Sequence, residues 1–568
     1  MSSAVTPFIT AGMRPELFSG SRAYSLPKVL LITALCVLVV AGFALRANGL
    51  SSEGLSEDEL NKLAAVNEYR SQGLSSANGE HPLLMKALLT VSVVTADAWD
   101  RTSFVSSHPE LNIPVETSLR IPSALFGAFT AVLLFLVATE LFGWEIGLLA
   151  AALWTFDPLV IGYNRIAKED TFLVFFFLLA NFFWLRGQRA AETEPNKNPE
   201  KYYWATAAAF GAMLASKYVP LLIGITCSYN YIFQKIPATR WVIGKKRFIK
   251  FFIVMGVAFL IFNPTILLPD TWRAMLKFST NKMIGHDSYE FIGRLYPHKF
   301  TDWLRGEPWY FYLALIGAKM PVLSLAGFIG GLPLLFRRKT GDGRYFLLIW
   351  LAIWSIGFMT VGGKFTRYIL TFMPLVVIIS ALGIQFAARR LARLCASLLN
   401  NESVKIYASA ALPAIVVLFG IWSSVTAAPH YRFYVNAVAG RFTAAGAMFP
   451  QDEFYDAYMQ EVLAEIAKRA PAGVRVANEI PSVGTYYATR AGRPDLISVE
   501  LSDPAEIAKL RPGDFVIDAR GRTYYSNQAM LARLRQSASA AFAVSVGSVP
   551  AANVYLLDAK SLAALRGE

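Results

Sequence analysis

The chain is short of cysteine, of charge and of internal repetition, and each shortage excludes something. Its 3 cysteines in 568 residues, Cys36, Cys227 and Cys395, all lie in or beside apolar runs, so they offer no disulfide framework. Residues 427–568 contain none, which does not bar that region from an oxidising compartment, where disulfides are permitted rather than required. Asp, Glu, Lys and Arg make up 17% of the chain, against about 25% in a typical soluble protein. The net charge of +14 would suggest nucleic acid, but no basic stripe lies on a polar segment, so nucleic-acid binding is not expected. No repeat or low-complexity tract divides the chain.

Apolar residues are in excess, at 55%, and they are gathered into runs of roughly 15–22 residues, about what a helix needs to cross a ~30 Å hydrocarbon core. The expected class is a polytopic α-helical membrane protein. Spans are predicted near 29–46, 117–140, 146–162, 170–186, 203–216, 218–235, 249–266, 310–336, 345–361, 367–387 and 406–426, about eleven in all. The first is preceded by Arg14, Arg22 and Lys28 and has no small-residue cleavage site after it, so it reads as an uncleaved helix. The run Leu83–Trp99 carries Lys86 and Asp97 and reads as a helix lying along the interface.

The positive-inside rule orients these spans. With the N-terminus cytoplasmic, inner loops hold Arg240, Lys245, Lys246 and Arg247, then Arg337, Arg338, Lys339 and Arg344, then Arg389, Arg390, Arg393 and Lys405. Anionic membrane lipids are their natural partners. Segments 47–116, 267–309 and everything after 427 then lie outside. The chain divides into a membrane part, 1–426, and a soluble extracytoplasmic α/β domain, 427–568. In that domain strand-length runs ("VRVAN", "FVIDA", "NVYLLD") alternate with helical stretches such as Tyr458–Ala470.

Ionisable residues are sparse beside the spans, so those present stand out. "SEDE" (Ser56–Glu59) sits just beyond the first span. It reads both as a capping box, with Ser56 as N-cap and Glu59 at the third helical position, and as a carboxylate base at the membrane surface. "GEHPLLMK" (Gly79–Lys86) groups Glu80, His81 and Lys86, with His81 held extended before Pro82 and a helix starting after it. "YNRIAKEDTF" (Tyr163–Phe172) brings Arg165, Lys168, Glu169 and Asp170 to one short connection. Lys217 interrupts an apolar segment at "ASKYVP". The outer loop 267–309 carries Arg273, Lys277, Lys282, His286, Arg294 and His298, and "GGKFTRYILTFMP" holds Lys364, Arg367 and Tyr368. By parity all of these face one side. Carboxylates in one loop and cations in the others suit an anionic phosphate held by Arg and Lys while a carboxylate removes a proton. A divalent metal held by Glu80, His81 and a histidine of 267–309 stays open, because the spacing is too loose to choose ligands.

In order and spacing these motifs resemble those of the polyprenyl-phosphate-dependent glycosyltransferases of the type-C fold, the group of the protein O-mannosyltransferases and the lipid A aminoarabinose transferases. The resemblance rests on Asp58-Glu59, "HPLLMK", "RIPSALFG" (Arg120–Gly127), the connection ending in Asp170, "ASKY", "PWYFYL" and "RYILTFMP". It implies a bacterial inner-membrane enzyme, its C-terminal domain periplasmic, that moves a sugar from a polyprenyl-phosphate donor to a lipid, glycan or protein acceptor with inversion. It makes Asp58 the catalytic base, with Glu59 beside it and Asp170 the second acid. It makes Lys86, Lys217, Arg294 and Arg367 candidates for the lipid phosphate, with Glu80, His81, Arg165 and Tyr368 around the substrate. Leu83 replaces the second proline of the family's "HPPL" element, and Glu80 is shared with one branch only, so the acceptor does not carry over. A transporter or flippase for an anionic or lipid-linked substrate is the alternative, although the repeated halves common in transporters are not seen.

Overall fold

The computed structural model of the chain describes residues 28–193, 198–233, 245–280, 286–401 and 403–568. Arg14, Arg22, Arg240 and Lys282 lie outside them. The first four long helices are α1 (Lys28–Ala47), α2 (Glu57–Gln72), α3 (Leu83–Asp100) and α4 (Val115–Phe142). Helix α1 leaves Val29, Leu30, Ile32, Val37 and Val40 exposed, a surface suited to acyl chains. Helix α4 is apolar nearly all round and packs most of its residues inside the bundle.

Next comes a broken helix, Trp144–Thr155 followed by Pro158–Asn164, bent by 64°. Pro158 cannot supply the donor that would continue the first piece, and the Asp157 side chain caps the second by accepting the Val160 N–H at 3.2 Å. The break leaves carbonyls without helical partners. Arg46, fully buried at the end of α1, donates to two of them, Trp154 and Thr155, at 3.3 Å each, and to Asn164 Oδ1 at 3.1 Å.

Glu169–Thr193 packs beside α4, and Glu200–Ser216 packs on Glu169–Thr193 and on Lys245–Phe262. The apolar stretch 203–235 is interrupted, as its sequence suggested: one helix ends at Ser216 and the next runs Leu221–Phe233. Lys217 between them is extended, with φ −155° and ψ 138°. The helix Met373–Leu399 is the centre of the bundle, buried without a gap from Met373 to Gln385. Val322–Gly331 approaches it through glycines. A Cβ on Gly331 would stand 2.1 Å from the Ile379 carbonyl oxygen, and one on Gly383 2.1 Å from that of Gly327, so only glycine lets these backbones meet.

The chain is a multi-pass membrane protein, and eleven full-length spans are not reached among its described residues. Among the described residues 5 helices are long and apolar enough to cross, or 6 if the bent pair counts as one. The expected spans 146–162 and 310–336 form as shorter pieces, because Pro158 and Pro321 interrupt the helical ladder.

Beyond the bundle a five-stranded mixed sheet has the order β4-β3-β5-β7-β6. Its strands are β3 (Arg475–Asn478), β4 (Ile497–Glu500), β5 (Phe515–Ala519), β6 (Phe542–Val546) and β7 (Val549–Leu556). β3 runs parallel to β4 and β5, while β7 is antiparallel to β5 and β6. The three runs read as strands are β3, β5 and β7; β4 and β6 were not anticipated. Nor was the hairpin of β1 (Ser288–Phe291) and β2 (Arg294–Pro297) inside 267–309. Ile292 and Gly293, at φ 49° and 71°, turn it as a tight hairpin requires. Leu63, Val66, Met85 and Leu89 of α2 and α3 share one apolar cluster with Val462, Ile466 and Val483. The sheet region is therefore docked on the bundle and not merely tethered to it.

Candidate active site

The site begins with the two adjacent acids of α2, Asp58 and Glu59, and they part company at once. Ser56 caps α2 and accepts the Glu59 N–H at 3.3 Å, while Glu59 Oε2 accepts the Ser56 N–H at 3.2 Å. That is the capping box the sequence suggested. Glu59 is fully buried against Arg120 of α4, which donates to its two oxygens at 2.8 and 2.6 Å, and it also accepts the Ala167 N–H at 3.0 Å. Arg120 spends its remaining donors on the carbonyls of Leu50, Glu53 and Gly54. Glu59 thus fastens α2 to the bundle and does not line the cleft.

Asp58, one residue earlier, faces the other way. It lines a cleft of about 290 Å³ with Glu57, Lys62, Glu80, His81, Lys168, Glu169, Lys217, Arg367, Tyr368, Asp452, Tyr455 and Arg522. Its Oδ1 lies 2.8 Å from Lys168 Nζ. Its Oδ2 accepts the Tyr455 hydroxyl at 2.8 Å and lies 3.7 Å from Arg367. Burial would raise the Asp58 carboxyl. The Lys168 ammonium, the Arg367 guanidinium and the Tyr455 hydroxyl outweigh it and hold the group well below the usual carboxylate range.

Arg367 comes from the short 3₁₀ turn Thr366–Thr371, which hands its side chain to the cleft just before the central helix starts. Its guanidinium stands 3.7 Å from Asp58, 3.9 Å from Asp170 and 4.0 Å from Asp452. These are long contacts, and neither Arg367 Nε nor Asp170 Oδ2 has a hydrogen-bond partner. Asp170 receives Lys217 at 2.6 Å through its other oxygen, and Lys217 lies over the Tyr368 ring at 4.4 Å. The extended break between two helices is what lets Lys217 reach there. Glu169 completes the floor with Lys62 at 2.7 Å, one turn along α2 from Asp58, and His81 at 3.4 Å.

Of the residues singled out from sequence, the structure brings Asp58, Asp170, Glu80, His81, Lys217, Arg367 and Tyr368 to this cleft or its wall, and leaves Glu59, Lys86, Arg165 and Arg294 out. Lys86 donates to the carbonyls of Ala77 and Asn78 at 2.8 Å each and pins that turn. Arg165 caps the end of α1 through the carbonyls of Leu45, Arg46, Asn48 and Gly49. Arg294 lies on β2, exposed, over the Tyr296 ring. The metal candidates do not converge. Glu80 accepts from the Asn78 amide, His81 faces Glu169, and His286 meets Arg522 at 2.9 Å and stacks on Tyr524. Burial and the Arg522 charge push the His286 imidazole down to about 3. Among the described residues no group of three or more His, Cys, Asp or Glu has a geometry fit for a metal ion.

The sequence reading also found no site in the region after 427, yet that region supplies one wall. Asp452 accepts the Tyr289 hydroxyl at 2.7 Å and the Thr366 N–H at 3.0 Å. Asp456 receives Arg522 through both oxygens, at 2.8 and 2.6 Å. Glu453 and Lys319 form a buried pair, and Arg432 reaches Glu53 at 2.7 Å.

Residues 110–268 match the family model described as dolichyl-phosphate-mannose-protein mannosyltransferase. That segment runs from α4 through Asp170 and Lys217. Among solved structures, the oligosaccharyltransferase of Archaeoglobus fulgidus in its apo form is similar over 87% of this chain and 70% of its own, at 11% identity and TM-score 0.50. ArnT from Cupriavidus metallidurans, also apo, aligns over 95% of this chain and 99% of its own, at 13% identity and TM-score 0.48. No curated protein sequence matches the chain. The resemblance to the polyprenyl-phosphate glycosyltransferases of type-C fold is borne out by the family match, and the shared fold agrees with it.

Proposed function

We propose that the chain transfers a sugar from a polyprenyl-phosphate donor to an acceptor on the periplasmic face of the bacterial inner membrane, with inversion at the anomeric carbon. Asp58 is the base. It takes the proton of the acceptor as the acceptor oxygen or nitrogen bonds to the anomeric carbon. The bond from that carbon to the phosphate oxygen breaks, and the lipid phosphate leaves with the electron pair. Arg367, Lys217 and Lys168 hold the phosphate through this step, when its charge grows. The single observation that carries the reading is the Arg367 guanidinium, 3.7–4.0 Å from three carboxylates and tightly bonded to none. A buried cation so placed can take a phosphate in exchange for long contacts, not short ones.

The same geometry supports an order of steps. A carboxylate held by two cations is a poor base. A donor phosphate competes for Lys168 and Arg367, and Asp58 regains basicity as they turn to it, so donor binding precedes proton removal. Asp170 keeps Lys217 and Arg367 in place for the exchange. A transporter of an anionic lipid could use the same cations, but it does not account for the family match.

Asp58→Asn tests the reading. Transfer, measured by mass spectrometry as restoration of the outer-face glycolipid or glycoprotein lost in a deletion strain, should fall about 10²–10⁴-fold, with folding and polyprenyl-phosphate binding kept. Full transfer by this variant would end the proposal.

A further inference from the structure

Tyr455 and Asp456 are consecutive, neither is glycine, and both have positive φ, 46° and 62°. Left-handed backbone is uncommon for such residues and needs surroundings that hold it. Here the holding groups come from other segments of the chain. The Asp456 carboxylate receives Arg522 through both oxygens, at 2.8 and 2.6 Å, and accepts the backbone N–H of Glu57 at 3.3 Å. The Tyr455 hydroxyl donates to Asp58 Oδ2 at 2.8 Å. The Ala457 carbonyl accepts the Gly54 N–H at 3.1 Å. Two neighbours in the C-terminal region therefore grip two neighbours in α2, Tyr455 on Asp58 and Asp456 on Glu57.

From this we infer that Tyr455 is a positioning residue for the base, set in place by the Asp456–Arg522 pair; the inference rests on the reading of Asp58 above. Of the three groups on the Asp58 carboxylate, Lys168 and Arg367 are cations that a phosphate attracts away. Tyr455 is the neutral one and stays. Its hydroxyl fixes how the carboxylate is turned toward the acceptor once the cations have moved, without offering the phosphate a competing positive charge. The region after 427 thus completes the site, with no residue of its own touching the donor through this contact.

Tyr455→Phe in the full-length protein removes only the hydroxyl. Transfer should fall about tenfold, as expected for one hydrogen bond to a charged group, with an unchanged thermal midpoint and unchanged affinity for polyprenyl phosphate. Asp456→Asn loosens the turn and should cost transfer several-fold, with a lowered thermal midpoint because the buried Arg522 loses its counter-ion. Because it acts through Tyr455, the double variant should be no worse than Tyr455→Phe alone. Transfer within twofold of the parent for Tyr455→Phe, losses that multiply in the double variant, or a parallel loss of lipid-phosphate affinity or thermal midpoint in Tyr455→Phe itself would each overturn the inference. Full transfer by Asp58→Asn would instead remove the base reading on which it stands.

Discussion

Two places in this molecule are built of the same parts, a carboxylate from the start of α2 facing an arginine from another segment. At Glu59 and Arg120 the partners are buried, the hydrogen bonds are 2.6–2.8 Å, and every remaining guanidinium donor used goes to a backbone carbonyl. At Asp58 and Arg367 the separation is 3.7 Å, the carboxylate is a third exposed, and Arg367 Nε has no partner. The first pair is complete by itself. The second has room and unspent hydrogen-bonding capacity for a ligand. Adjacent residues of one motif thus serve opposite ends, and the difference lies in how fully their partners are satisfied.

Breaking each pair should separate the two roles. The largest effect is expected from Asp58→Asn, whose loss in turnover should far exceed any loss of stability. Glu59→Gln should do the reverse: it leaves the Arg120 charge buried without its counter-ion, a cost of about 3–5 kcal/mol. A lowered thermal midpoint, with residual folded protein still able to bind polyprenyl phosphate, is the expected result. A Glu59→Gln protein of normal stability and lost turnover would exchange the roles assigned here.

Arg367→Gln sharpens the comparison from the cation's side. Affinity for polyprenyl phosphate, titrated in detergent, should fall about 10–100-fold, in line with loss of a charged hydrogen-bonding partner, while stability changes little. Arg165→Gln, at a residue spent on carbonyls, should leave that affinity alone. The smallest effect is in pH. Asp58 and Glu59 both have carboxyls held below their usual values, Asp58 against burial by Lys168 and Arg367, Glu59 against burial by Arg120. Stability from a lowered carboxyl is present above the unfolded value of about 4 and is lost as pH falls through the folded one. These two pairs should therefore contribute no slope between pH 5 and 8, and their contribution to the thermal midpoint should be lost only in stronger acid. A drop already at pH 6 that vanishes in Asp58→Asn would contradict this.

Much of this was legible in the sequence, for definite reasons. Apolar runs marked the membrane class, and Lys217 with Pro220 marked a real break. Asp58, Asp170 and Arg367 stood out because ionisable groups beside long apolar runs are few. The short strands β4 and β6 were hidden because four or five residues, even in alternation, carry little signal. Lys86 and Arg165 were drawn toward the substrate because a cation that binds carbonyls and one that binds phosphate look alike until partners are seen. Tyr455, Asp456 and Arg522 left no trace, since Tyr455 meets Asp58 across 397 residues of chain and no local pattern records such a contact.

The most direct measurement is a structure of this protein with polyprenyl phosphate bound. Phosphate oxygens should lie within hydrogen-bond distance of Arg367 and Lys217, with Lys168 drawn off Asp58 and Tyr455 still on it. A phosphate bound elsewhere, with the Lys168–Asp58 pair and the long Arg367 contacts unchanged, would contradict this.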